Sequence, residues 1–304
     1  MNDLGHVSAA VQGPAAASPS GSPGFRACRY GSQDGLDLYY REYGDPASER
    51  IPVLCLPGLT RNSKDFHDIA LHLAPARRVL TVDYRGRGMS ARDPDWRNYR
   101  PETYIGDVLD LLVVADAPRV VAIGTSMGGL LGLGLAIFRP GCLAGAVLND
   151  IGPDVNPVGY QRILDYISVD RPQPDWPAAI AYTRELFPNV SMETEAEWRN
   201  LAESTFRLGD DGLLHYDWDV ALTRALTASQ ARFPDLWAVF RSLGNRPALA
   251  IRGALSDVLT EATFERMAEV NPRLLRATVP NVGHVPALDE KEAILALDDF
   301  FARI

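Results

Sequence analysis

The chain has few cysteines, no long apolar run and no excess of positive charge, and each shortage excludes a class of protein. Three cysteines, Cys28, Cys55 and Cys142, are odd in number and too widely spaced for a disulfide framework or a metal-binding cluster. The longest apolar run, near residues 130–138, is interrupted by two glycines and is too short to cross a bilayer. A formal net charge of −9 gives no attraction to nucleic acid or to anionic lipid. We therefore expect no metal, no nucleic-acid partner and no membrane span.

What is present is ordinary globular composition, with 46% apolar and 23% charged residues. A length of 304 residues fits either two domains or one large α/β domain with an insertion. The first 24 residues are rich in Ala, Ser, Gly and Pro but lack both a basic start and a continuous apolar stretch. We predict a flexible tail over 1–24 rather than a secretory signal, and a cytoplasmic protein.

The hydrophobic pattern from Phe25 onward predicts an opening β-hairpin followed by short apolar strands that alternate with amphipathic helices. Continuous apolar strands of this kind indicate a parallel sheet covered by helices on both faces. The alternation stops after Asp150 and resumes at Ala248, and the intervening segment contains helical patterns without a convincing strand pair. We therefore predict an α/β core over 25–152 and 243–304, interrupted by a helical insertion over 153–242.

The most informative motif is the G-x-S-x-G pentapeptide around Ser126, which follows an apolar strand and precedes a helix. A serine on such a sharp strand-to-helix turn is held out of the sheet, and Gly124 and Gly128 supply the space that the turn needs. The helix also directs its positive N-terminal end at the serine. With this context the chain resembles the α/β-hydrolase superfamily, in its capped branch of bacterial esterases, lactonases and carbon–carbon hydrolases.

The resemblance implies a mostly parallel eight-stranded sheet, a helical cap inserted after strand 6, and a catalytic Ser, Asp or Glu, and His in that order along the chain. Ser126 is the expected nucleophile. His284 is the expected base, because it lies in a Gly-His loop after a predicted strand and before the last helix. Four other histidines are less suited to this role. His6 lies in the predicted tail, and His67 and His72 are expected to be surface or packing residues of the helix after the third strand. His215 lies in the insertion, before the second half of the sheet.

Two aspartates compete for the role of the acid that orients the histidine. Asp257 lies in a Gly-x-x-Asp loop after the strand that begins near Ala248, which matches the family pattern. Asp150 follows the sixth predicted strand, from which some family members draw their acid. We predict Asp257 and keep Asp150 as the alternative.

Two backbone N–H groups are expected to form the oxyanion hole. Met127 follows the nucleophile, and Leu59 occupies the donor position in the loop after the third strand. In this loop Pro57 replaces the histidine that many family members carry, while Gly58 is retained. The segment from Asp83 to Ser90 resembles the family's structural signature D-x-R-G-x-G-x-S.

The predicted insertion is rich in aromatic side chains and is called the cap segment (153–242) from here on. Its aromatic residues favour a hydrophobic small-molecule substrate. The expected pocket residues are Tyr160, Trp176, Trp198 and Trp218.

Together these features predict a serine hydrolase that cleaves a carboxylic ester or a lactone through an acyl-enzyme, without a cofactor. A carbon–carbon bond hydrolase or an amidase of the same fold is the first alternative. The former often carries tryptophan after the histidine, where this chain has Val285. A ligand-binding receptor with little turnover is the second alternative. The oligomeric state stays open, with a homodimer among the options.

Overall fold

The computed structural model describes residues 24–228 and 235–304. The predicted tail, apart from Gly24, and His6 lie outside the described residues. The strands are β1 (Arg26–Gly31), β2 (Asp37–Tyr43), β3 (Val53–Leu56), β4 (Val79–Asp83), β5 (Val120–Thr125), β6 (Leu143–Asn149), β7 (Phe206–Leu208), β8 (Leu214–Tyr216), β9 (Ala248–Gly253) and β10 (Leu275–Val279). The helices are α1 (His67–Leu73), α2 (Pro101–Val114), α3 (Met127–Phe138), α4 (Pro157–Ile167), α5 (Trp176–Leu186), α6 (Glu195–Thr205), α7 (Leu222–Ala228), α8 (Leu236–Arg241), α9 (Glu261–Val270) and α10 (Lys291–Phe301).

Eight of these strands form one sheet in the order β1-β2-β4-β3-β5-β6-β9-β10. Strand β2 runs antiparallel to both β1 and β4, and the pairs from β4 to β10 are parallel. This arrangement confirms the predicted fold class, a mostly parallel eight-stranded sheet that opens with a hairpin.

The central strands are buried from end to end, as their uninterrupted apolar sequences predict. Alternate side chains of each strand enter two separate cores. Leu54 of β3 packs on the face covered by α2 and α3, whereas Val53 packs on the face covered by α1 and α10. Helices on both faces leave the carboxyl ends of the parallel strands as the open edge where a site can form.

The cap segment is mostly helical, as predicted, but the expectation that it lacks a strand pair is wrong. Strands β7 and β8 pair in antiparallel register, with Phe206 opposite Tyr216. Each strand has only three residues, which is too short for an alternating pattern to be visible in the sequence. In the described part of the chain, no helix combines the length and apolar character needed to cross a membrane.

Candidate active site

Ser126 lies between β5 and α3. Its backbone has a φ of 52° and a ψ of −121°, a combination with positive φ that residues other than glycine rarely adopt. Its own N–H donates to the carbonyl oxygen of Asn149 at 2.9 Å. A Cβ on Gly128 would lie 1.9 Å from the carbonyl oxygen of Leu56, and a Cβ on Gly124 would lie 2.4 Å from the carbonyl carbon of Gly128. The two motif glycines are therefore required by close backbone packing, which holds the strained serine at the sheet edge.

His284 lies in the loop after β10 and reaches Ser126 across 158 residues of sequence. Its Nε2 is 3.0 Å from Ser126 Oγ, and its Nδ1 is 2.7 Å from Asp150 Oδ2. An ionised carboxylate only accepts hydrogen bonds, so the network assigns the proton to Nδ1 and leaves Nε2 to accept from the serine hydroxyl. The imidazole is only 8% exposed, which excludes most of the competing water.

Asp150 follows β6 directly and its side chain is fully buried. Besides His284, its carboxylate accepts from the Ser256 hydroxyl at 2.6 Å and from the Gly253 N–H at 2.9 Å. Such donors offset the cost of burying the carboxylate: Gly253 is the last residue of the neighbouring strand β9, and Ser256 lies in the loop that follows.

Asp257, the predicted orienting acid, is directed elsewhere. It forms two hydrogen bonds with Arg162 of α4, at 2.6 and 2.8 Å, and both side chains are more than one-third exposed. The Arg162 guanidinium lowers the pKa of this carboxyl below its ordinary value. The geometry thus corrects the sequence-based choice: the carboxylate beside the imidazole is the alternative, Asp150, because Asp257 is held by a cap-segment arginine that is 95 residues distant in sequence.

The two expected oxyanion-hole donors belong to segments that lie next to Ser126. Met127 is the first residue of α3, where an N–H has no acceptor within the helix. The loop that carries Leu59 passes close to the nucleophile, since a Cβ on Gly58 would lie 3.8 Å from Ser126 Cβ. The Leu59 carbonyl oxygen accepts a hydrogen bond from Arg87 Nε at 2.9 Å.

Three of the other histidines make contacts away from Ser126. His67 Nδ1 is 3.2 Å from the Tyr43 hydroxyl, and His72 Nε2 is 2.8 Å from Asp298. His215 lies between Asp170 and Asp211, whose hydrogen bonds raise the pKa of its imidazole. None of these contacts includes Ser126.

The predicted pocket residues mostly pack within the cap segment. Trp218 is 1% exposed and stacks on Tyr216 with ring centroids 3.9 Å apart, so it offers no free face to a ligand. Trp198 is buried beneath Arg184, and Trp176 lies near the Arg199 guanidinium across the α5–α6 pair. Tyr160 is half-buried in α4. The buried rings of Phe206, Tyr216 and Trp218 belong to the same hydrophobic cluster as the sheet face covered by α2 and α3, so the aromatic residues of the cap segment pack it onto the core.

Other parts of the cap segment reach the loops beside the site. The Gly283 N–H donates to the Asn189 carbonyl oxygen at 2.7 Å, next to the catalytic histidine candidate. Arg61, two residues after Leu59, donates to Thr205 Oγ1 at 2.8 Å and lies over the Phe187 ring. No sequence motif indicates these contacts, because they join residues that are distant in the chain.

A metal-binding arrangement of three or more His, Cys, Asp or Glu side chains is not found among residues 24–228 and 235–304. The three cysteines are free, and two of them are buried. The side chains linked to Ser126 are an imidazole and a carboxylate, and together with a hydroxyl these are groups that acyl transfer uses.

Comparison with known proteins agrees with this geometry. The model of the "Alpha/beta hydrolase family" matches residues 53–297, and the chain belongs to this family. A 3-hydroxybutyrate-oligomer hydrolase of Cupriavidus necator is 33% identical, over 87% of this chain and 92% of the relative. A 2-(acetamidomethylene)succinate hydrolase of Mesorhizobium japonicum is 25% identical, over 76% of this chain and 81% of the relative. The crystal structure of an α/β hydrolase from Novosphingobium aromaticivorans superposes with a TM-score of 0.87 at 39% identity, covering 93% of this chain and all of that one.

Proposed function

We propose that the protein is a serine ester hydrolase with a catalytic triad of Ser126, His284 and Asp150. The observation that carries this proposal is the unbroken hydrogen-bond chain from the serine hydroxyl through both imidazole nitrogens to a fully buried carboxylate. The same three groups in this geometry perform acyl transfer on several unrelated folds.

The proposed reaction has two halves. His284 Nε2 takes the proton of Ser126 as Oγ attacks the ester carbonyl, and the resulting oxyanion accepts from the N–H groups of Leu59 and Met127. The imidazolium, stabilised by Asp150, then gives its proton to the leaving alcohol. Water repeats the sequence on the acyl-enzyme and releases the acid. We also propose that the cap segment, residues 153–242, forms one structural unit that covers the substrate-binding space next to Ser126.

The proposed substrate class is a short ester or lactone of a hydroxy acid. Its support is the Cupriavidus necator relative, whose name gives it as a hydrolase of 3-hydroxybutyrate oligomers. The hydrophobic substrate expected from the aromatic cap segment has less support, since the ring of Trp218 is covered and that of Trp198 is buried.

The test compares wild type with Ser126→Ala on p-nitrophenyl esters from acetate to decanoate and on linear dimers and trimers of 3-hydroxybutyrate. We expect turnover of the hydroxybutyrate oligomers and the short esters, and a loss of at least about 10⁴-fold in Ser126→Ala. Fluorophosphonate labelling, detected by intact mass, should also vanish in that variant. Ser48→Ala, on the loop before β3, is the control that should keep both properties.

Other results would point to the alternatives. Labelling of Ser126 without ester turnover would favour an amide or a carbon–carbon bond as the target, or a receptor. If neither labelling nor turnover depends on Ser126, the proposed function is wrong.

A further inference from the structure

Arg87 is a buried cation beside the proposed oxyanion hole. The residue is 1% exposed, and its Nε donates to the Leu59 carbonyl oxygen at 2.9 Å. Its Nη1 donates to the Arg85 carbonyl oxygen and to the Tyr104 hydroxyl, both at 2.8 Å. The guanidinium carbon lies 4.8 Å from the centre of the Tyr104 ring and 5.7 Å from that of Tyr99.

The charge of Arg87 has no carboxylate partner within the described parts of the chain. Its hydrogen bonds go to carbonyl and hydroxyl oxygens, and its Nη2 has no hydrogen-bond partner there. Arg85, two residues earlier and equally buried, is held by Asp34, Asp93 and Asp107. Burying a charge without a counter-ion is costly, so packing alone does not account for an arginine at this position.

We propose that Arg87 is a positioning residue of the oxyanion hole, an inference that rests on the proposed function. Its hydrogen bond fixes the Leu59 carbonyl and thereby the orientation of the loop whose N–H faces the substrate. Its charge, which no carboxylate of the described residues neutralises, is one hydrogen bond away from the residue that carries the proposed oxyanion donor. Both effects are stronger for the oxyanion than for the neutral substrate, so they act on kcat more than on KM.

The cap segment supports Arg87 from the other side. The Gly88 N–H donates to the Asp217 carbonyl oxygen at 3.0 Å, and the Asp219 N–H donates to the Gly86 carbonyl oxygen at 2.7 Å. Arg87 itself pairs with Trp218 as an isolated antiparallel bridge. The loop from 86 to 88 therefore joins the cap segment to the proposed oxyanion donor.

The experiment compares wild type with Arg87→Met and Arg87→Lys in the full-length protein. We measure kcat and KM on p-nitrophenyl butyrate and the affinity for an alkylboronic acid, which forms an anionic tetrahedral adduct with the serine. Arg87→Met should lower kcat about 100-fold. The boronic acid affinity should fall by a similar factor, with KM within about threefold of wild type. Arg87→Lys, which keeps the charge, should regain about tenfold in kcat.

Arg78→Met is the matched control, because Arg78 is also buried and donates to the Ala115 carbonyl oxygen and to Glu42 at the opposite end of β4. It should lower the Tm while leaving kcat and boronic acid affinity unchanged. If Arg87→Met does not fold, Tyr104→Phe, which removes only one partner of the guanidinium, carries the test together with Arg87→Lys.

A folded Arg87→Met with wild-type kcat and boronic acid affinity would overturn the proposal. If Arg87→Met does not fold, unchanged kcat and boronic acid affinity in both Tyr104→Phe and Arg87→Lys would do the same. A loss confined to KM would also count against it. Failure of the proposed function can be distinguished from failure of the Arg87 proposal, because wild type would then show neither Ser126-dependent turnover nor labelling.

Discussion

Asp150 and Asp257 follow neighbouring strands of one sheet, yet their surroundings differ in every respect that matters for catalysis. Asp150 is fully buried, accepts from the imidazole and has two further donors within its own sheet edge. Asp257 is more than one-third exposed and is bound by an arginine of the cap segment. The comparison teaches that a carboxylate's role is set by burial and by the donors that face it, rather than by its place in a strand-end loop.

Replacing Asp150 should produce the largest difference between the two aspartates. Asp150→Asn keeps the shape of the side chain but removes the charge that, in the proposed triad, holds the histidine tautomer and stabilises the imidazolium. We expect kcat to fall about 10⁴-fold. Steady-state kinetics on a short p-nitrophenyl ester would check this, and near-normal turnover would reject the assignment of the acid.

Replacing Ser256 should lower kcat by an amount between the effects of Asp150→Asn and Asp257→Asn. Its hydroxyl donates to Asp150 Oδ2 at 2.6 Å and accepts from the Val258 and Leu259 N–H groups. Ser256→Ala should lower kcat about tenfold, because one donor that orients the carboxylate is lost. Ser90→Ala, which removes a buried hydroxyl bonded to the Asp83 carbonyl oxygen, is the control that should affect stability alone.

Replacing Asp257 should have a small effect on turnover. Asp257→Asn leaves the chain from Asp150 to Ser126 intact, so we expect kcat within about threefold of wild type. The measurement is the same ester assay, run beside Asp150→Asn. A loss in Asp257→Asn comparable to that in Asp150→Asn would restore the role that the sequence pattern suggested.

The smallest expected effect is on the pH dependence of stability. The folded-state pKa of Asp257 is lowered by Arg162, so its contribution is present above the unfolded-state pKa of about 4 and is lost as the pH falls through the folded-state pKa. Both partners are partly exposed, which limits the contribution to less than about 1 kcal/mol. Urea unfolding should therefore show Asp257→Asn slightly less stable at pH 7, with the difference shrinking below about pH 4. A constant difference at all pH values would contradict the ion-pair account.

Local patterns were sufficient to predict most of the fold. The apolar runs of β3 to β6 and the helical periodicity of α2 depend on burial against a sheet, which the sequence records directly. The three-residue strands β7 and β8 could not be predicted, because such short segments carry no period. The sequence motifs around Ser126 and His284 were informative because each needs a glycine beside a sharp turn.

The rest of the site depends on contacts between distant residues. Asp150 and Asp257 both lie after strands of the sheet, and only the three-dimensional course of α4 brings Arg162 to one of them. Arg87 lies within the Asp83–Ser90 signature, and its hydrogen bond to the Leu59 carbonyl oxygen joins two loops that are 28 residues apart. No local sequence pattern predicts such a contact. The aromatic residues of the cap segment could not be assigned to a pocket for the same reason, because composition does not distinguish a ring in a core from a ring in a pocket.

The backbone contacts of the three loops that carry the proposed triad predict which of them opens first. The N–H groups of Ser126 and Asp150 bond across central strands, to Asn149 and to Ile251, whereas the Gly283 N–H bonds to Asn189 of the cap segment. Amide hydrogens of the first kind exchange with solvent only when the whole sheet unfolds, and those of the second kind exchange when a local unit detaches. We therefore expect rapid amide exchange at Gly283 and strong protection at Ser126 and Asp150. The loop that carries His284 would then separate from the cap segment and rejoin it while Ser126 and Asp150 stay in place.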